Sequence, residues 1–166
     1  MKFPLQVLLF FLCVCGLPLG SQELAAAKFT LSGPLTLNRV ALGFSPQQVT
    51  VALGKPISTT SGQGTETWEY GGLTQVTFSK AKVVDIKGTL LEESGQRVTQ
   101  AGMTRQEVTG AVGKPADLKV LGIKNDNEFE FLVYCPPSGE SLVMHFLSRE
   151  TGKVVLIGLK GLEFSP

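Results

Sequence analysis

Apolar and polar residues follow a helical period in two short segments of this chain, and each segment is followed by stretches of strict alternation. Residues 45–53, "SPQQVTVAL", set Val49, Ala52 and Leu53 on one face. Ser45 suits the N-cap, Pro46 the first helical position, and Gln48 stands three residues after the cap. Residues 104–112, "TRQEVTGAV", repeat the pattern: Thr104 caps, Glu107 completes a capping box, and Val108, Ala111 and Val112 form the apolar face. Gly54 and Gly113 are placed to end the helices in the left-handed conformation, and Pro56 and Pro115 block continuation. Helices of about two to three turns are too short to stand alone, so each must lean on something.

The alternating stretches predict strands. "TETWEY", "LTQVTF" and "KVVDIK" follow the first helix, and "NEFEFLVY", "SLVMHF" and "KVVLIGL" the second. In the first set Trp68, Tyr70, Val76, Phe78, Val84 and Ile86 are expected under a helix, with Thr65, Thr67, Glu69, Gln75, Thr77, Asp85 and Lys87 on the other face. By correspondence, Phe129, Phe131, Met144, Phe146, Val155 and Ile157 are expected under the second helix. The opposite face of the second set then shows Leu132, Tyr134, Val143, His145, Leu147, Val154 and Leu156. If exposed, these seven form an apolar patch large enough to mark a protein-binding surface. The competing expectation is that residues 29–37 or the tail 162–166 lie over that face and bury it.

The two helical segments also match residue by residue. From Gly43 to Pro56 and from Gly102 to Pro115, eight of fourteen aligned positions are identical. The pattern predicts an α+β fold of two tandem repeats, each a short helical segment followed by a three-stranded antiparallel meander, with the helices packed on one face of the sheet. Its expected divisions are an export signal over residues 1–27, a first repeat over 28–90 and a second over 91–166. One unit of about sixty residues buries little core, whereas two can share one.

The export signal rests on Lys2 followed by an apolar run from Leu5 to Val14, then Gly16, Pro18 and a small-residue stretch. Cleavage is expected after Ala27, with a second option after Gly16. Leu12-Cys13-Val14-Cys15 is a poor lipidation signal, so membrane attachment would come only from a lipid on Cys15 or an uncut signal. With Cys13 and Cys15 removed, Cys135 is the last thiol and reads as a buried apolar residue at a strand end or as a link between chains. The 166 residues carry a net charge of +1 with no basic stripe, which excludes nucleic acid as an expected partner.

A short helix with Gly102-Met103-Thr104, Gln106-Glu107-Val108 and Gly113-Lys114-Pro115, matched by Gly43-Phe44-Ser45, Val49, Gly54 and Pro56 and followed by Trp68 and Tyr70, resembles the SmpA/OmlA family, which includes the assembly lipoprotein BamE. In tandem, the unit resembles the beta-lactamase inhibitory proteins. The resemblance implies a small envelope or secreted protein that works by binding other proteins. It carries over no activity by residue, since the matching positions are caps and core.

Little in the sequence suggests catalysis. His145 is the only histidine and has no suggestive Ser, Cys or carboxylate spacing around it. One His and one remaining Cys cannot make a usual zinc site. "SGQG" lacks the lysine and spacing of a phosphate loop. The expectation is a non-catalytic, cofactor-free binding or scaffold protein of the bacterial cell envelope, accessory to outer-membrane protein assembly, or alternatively a secreted enzyme inhibitor using the open sheet face. Its partner would be a protein in the envelope or outside the cell, and the sequence leaves the oligomeric state open.

Overall fold

The computed structural model describes residues 31–116, 127–136 and 141–162. The export signal, its alternative cleavage sites, Cys13, Cys15 and the tail 163–166 lie outside the described residues.

Both helices form where their caps stand. In α1 (Pro46–Leu53) the Ser45 hydroxyl accepts from the Gln48 N–H, and the Gln48 side chain accepts from the Ser45 N–H at 2.8 Å. In α2 (Arg105–Val112) Thr104 and Glu107 make the same reciprocal pair. The Thr104 backbone N–H, then its hydroxyl, hold the Glu107 carboxyl below its ordinary pKa. Gly54 and Gly113 end the helices at φ 84°, ψ −156° and φ 101°, ψ −166°. This is not the left-handed helical region but an extended region with positive φ that is essentially confined to glycine.

Among the described residues, ten strands make up two antiparallel sheets. The larger has seven strands in the order β2 (Ser58–Gly62), β3 (Thr65–Glu69), β4 (Gln75–Ser79), β5 (Lys82–Gly88), β10 (Val154–Gly161), β9 (Ser141–Ser148), β8 (Phe129–Tyr134). The smaller has three, in the order β1 (Leu35–Leu37), β6 (Leu90–Glu93), β7 (Gln96–Gln100). The hairpin between β6 and β7 turns on Ser94 and Gly95, both at positive φ, as a type I′ hairpin turn requires. Asn38 ties the small sheet to the large one: its amide donates to Thr74 at 2.6 Å and accepts from the backbone of Thr89 and Leu90.

The expected layout of two repeats, each a helix and a three-stranded meander, does not hold. The described chain is mostly β, with four strands (β1, β2, β6 and β7) outside any such unit. What the two matched stretches share is local. Gly43 and Phe44 bond the backbone of Val83, and Gly102 and Met103 bond Val154 in the same way, at 2.7–2.9 Å. Just beyond each contact the register shifts, leaving Val84 and Val155 as the extra residues. The correspondence fails at the first strands. Glu69 shares a face with Gln75 and Lys87 of the polar set, whereas its aligned counterpart Glu130 pairs with Leu147 and makes an ion pair with Arg105 at the start of α2.

The main core lies between the large sheet on one side and α1, α2 and the small sheet on the other. It takes Val49, Val76 and Ile86 from the first half and Val108, Tyr134 and Ile157 from the second, with Leu37 and Leu91 from the small sheet. Trp68, Val76, Phe78 and Ile86 pack inward as alternation predicts, and Trp68 meets Phe78 at 4.7 Å between ring centroids. The bulge puts Val83 in this core in place of Val84. A second cluster, formed by Phe129, Phe131, Val133 and Leu142 with Met144, Phe146 and Val155, occupies the other face of β8–β10. Strands β8 and β9 and the start of β10 are therefore phased one residue away from the expected face, because both faces are apolar and alternation alone carries no sign, while beyond the bulge at Val155 Ile157 lies in the main core as expected.

Candidate functional site

Among the described residues, a buried cluster of polar side chains gathers where the two sheets meet. His145, at the middle of β9, is fully buried. Its Nε2 lies 2.7 Å from the Thr99 hydroxyl on β7, so the contact bridges the large sheet to the small one. The ring of Tyr134, from β8, stands edge-on to the imidazole at 5.6 Å and 84°. Burial pushes the His145 pKa down to about 3 and the Tyr134 hydroxyl up to about 12, so both are neutral at pH 7. The Nδ1 atom of His145 has no hydrogen-bond partner among the described residues.

A hydroxyl at hydrogen-bond distance from an imidazole is one component of a nucleophilic dyad. Here it lacks the rest. Thr99 and His145 are both 0% exposed, and the polar or aromatic neighbour on the strand beside His145 is a neutral phenol, not a carboxylate that would orient the ring. The geometry is that of an inter-sheet bond in the core. Among the described residues no three His, Cys, Asp or Glu side chains come close enough to hold a metal ion.

The seven residues expected on an open face are all in the interior. Leu132, Tyr134, Val143, Leu147 and Val154 belong to the main core, under α2 and the small sheet, and His145 lies among them. Leu156, 4% exposed, pairs with Phe146 and faces the opposite way, because the bulge at Val155 resets the alternation after Val154. The expected binding patch is thus a packed core, covered by α2 and β1–β6–β7; of the two expected covers, residues 31–37 contribute Leu31, Leu37 and β1 to that layer, and the tail 163–166 lies outside the described residues. Cys135 packs half-buried against the second cluster, as an apolar residue would.

Among the described residues, the polar outer sheet face and the open sheet edge lie in the first half. Thr67 and Thr77 share a contact of 3.2 Å on the outer face of β3 and β4. Next to them Asp85 is half-buried between Lys87 and Lys160; desolvation raises its pKa and the two lysines oppose the rise. At the edge, all five residues of β2 are exposed. The large apolar side chains most open to solvent are also here: Val51 on α1, Ile57 just before β2 and Leu73 in the turn after β3. Sequence alternation could not point to β2, because "STTSG" has no apolar position to count.

No family model matches the chain, and no curated protein does either. Solved structures do. An extracellular protein containing an SCP domain from Bacillus anthracis aligns with TM-score 0.51 and 14% identity, over 72% of this chain and 44% of that one. A cysteine-rich secretory protein from Staphylococcus aureus aligns with TM-score 0.50 and 13% identity, over 74% of this chain and 45% of that one. A DUF4309 family protein from Bacillus subtilis aligns more loosely, with TM-score 0.43 and 13% identity over 76% and 81% of the two chains. At such identities the likeness to the first two concerns the fold alone, and this chain spans less than half the length of either. The resemblance to SmpA/OmlA and to the beta-lactamase inhibitory proteins is overturned, since the structures found similar are of a different kind and no family model supports it. The residues that carried it are helix caps and turn glycines, which any fold with a short capped helix can use. Among the described residues no helix is long and apolar enough to cross a membrane.

Proposed function

We propose that this chain is an exported, non-catalytic module of the bacterial cell envelope that acts through protein–protein contact. The observation that carries the reading is the placement of its chemistry. The only histidine, the one side chain whose ordinary pKa suits acid–base work near neutrality, is sealed in the core at 0% exposure. Its exposed surface instead offers a bare sheet edge with Ile57 and Leu73 near it. Export is supported by the apolar run from Leu5 to Val14 and the small residues up to Ala27. The similar structures described as an extracellular and a secretory protein agree with it. The role in outer-membrane assembly and the enzyme-inhibitor alternative both leaned on a resemblance that does not hold, and the inhibitor also needed an open face that is buried.

Expressing the full chain in a bacterial host and fractionating the cells tests this reading. Processed protein in the envelope fractions or the culture fluid, cross-linking to other exported proteins, is the expected result. Full-length protein retained in the cytosol would contradict it.

A further inference from the structure

We propose that two copies of this chain pair through β2, joining their seven-stranded sheets across a two-fold axis. A sheet edge presents unpaired backbone N–H and C=O groups, and natural proteins guard such edges with charge, proline, bulges or very short strands. The small sheet does so at both edges: β1 has three residues, and β7 carries Arg97 with a register shift between it and β6. At the far edge of the large sheet, β8 is buried along most of its length and the Val133 carbonyl accepts from Ala116 at 2.8 Å. Strand β2 has none of these guards. Its five residues carry no charge and no proline, pair with β3 without a register shift, and are all exposed.

The choice of a second copy follows from the sequence of the edge. A two-fold axis normal to the sheet must set residues of one face against residues of the same face. Centred on Thr60, it places Thr60 opposite the partner's Thr60, Thr59 opposite the partner's Ser61, and Ser58 opposite the partner's Gly62. Thr–Thr and Thr–Ser pairs are favourable across antiparallel strands, and no like charges meet. One unguarded edge per sheet gives a closed, self-complementary dimer and no fibre. The contact is small, so the association is weak and depends on concentration.

Sedimentation velocity on the signal-free chain, from about 5 to 500 µM, reads the association directly. Wild type should shift from monomer to dimer within that range. Thr60→Lys and Thr60→Glu each set two like charges opposite one another and should weaken pairing on the order of fivefold or more, while an equal mixture of the two variants should restore it. Both substitutions fall on an exposed side chain, and an unchanged melting temperature confirms that the variants fold. A wild-type chain that stays monomeric throughout, a dimer indifferent to both substitutions, or a mixture that fails to re-associate would each overturn the proposal. The proposal rests on the same open edge that the proposed function uses, but none of these outcomes bears on export or on the absence of catalysis, which the fractionation experiment tests separately.

Discussion

Strands β2–β4 and strands β8–β10 are three-stranded antiparallel stretches at opposite ends of one sheet, yet they are built to different rules. In β2–β4 one face carries Trp68, Val76 and Phe78 into the core and the other carries Thr67, Gln75 and Thr77 toward solvent. In β8–β10 both faces are apolar. Leu132, Val143 and Leu147 join the main core, and Phe131, Val133 and Phe146 form the second cluster, where Phe131 and Phe146 meet edge-on at 5.2 Å. The first end depends on one covering layer and leaves an edge open. The second contributes to two clusters at once and holds the inter-sheet hydrogen bond of His145. The difference locates stability at one end of the sheet and accessible surface at the other.

The largest break in that comparison should come from a core side chain of the second end. Leu147→Ser removes a fully buried aliphatic group and inserts a hydroxyl, and should cost about 2–5 kcal/mol in urea denaturation. Next is pH. The His145 pKa lies below its ordinary value in the fold, so the unfolded chain binds the proton first. The contribution is whole above about pH 6.5 and is lost as pH falls from there toward 3, at up to about 1.4 kcal/mol per unit. Stability measured at pH 7.5 and at pH 5.5 should therefore differ by roughly 1–1.5 kcal/mol. In His145→Gln that difference should nearly vanish. Asp85, whose pKa is raised by desolvation, works in the opposite sense: its contribution grows as pH falls.

A third change acts on the backbone. An added Cβ at Gly54 meets nothing within 4 Å, so Gly54→Val isolates the conformational cost of its positive φ. That substitution should destabilise by about 1–3 kcal/mol in thermal melts. The smallest effect belongs to the polar face of the first end: Thr77→Ala should stay within about 0.5 kcal/mol of wild type. A Thr77→Ala cost as large as that of Leu147→Ser would erase the distinction between the two ends.

The parts of the fold legible in the sequence are those governed by neighbours along the chain. Ser45, Gln48, Thr104 and Glu107 announce their caps within four residues, and the inward face of β3–β5 shows itself because its other face is polar. The orientation of β8–β10 was hidden for the opposite reason: two apolar faces give an alternation without direction. The small sheet was missed because β1, β6 and β7 are short and mix leucines with Glu, Gln and Arg; its one local signal is the Ser94-Gly95 turn. The contact between Thr99 and His145 spans 46 positions and leaves no trace in local pattern. The same hidden phase turned six residues of the main core into an expected binding face, and the seventh, Leu156, is buried on the other side of the sheet.

Native-state hydrogen exchange at low micromolar concentration, where β2 is unpaired, tests most directly whether stability and accessible surface occupy opposite ends of the sheet. Backbone amides of β9 and β10 around His145, Leu147 and Ile157 should exchange only through global unfolding, while the solvent-facing amides of β2 exchange almost freely. Exchange from β9 as fast as from β2 would contradict the account and return His145 and its neighbours to an accessible face.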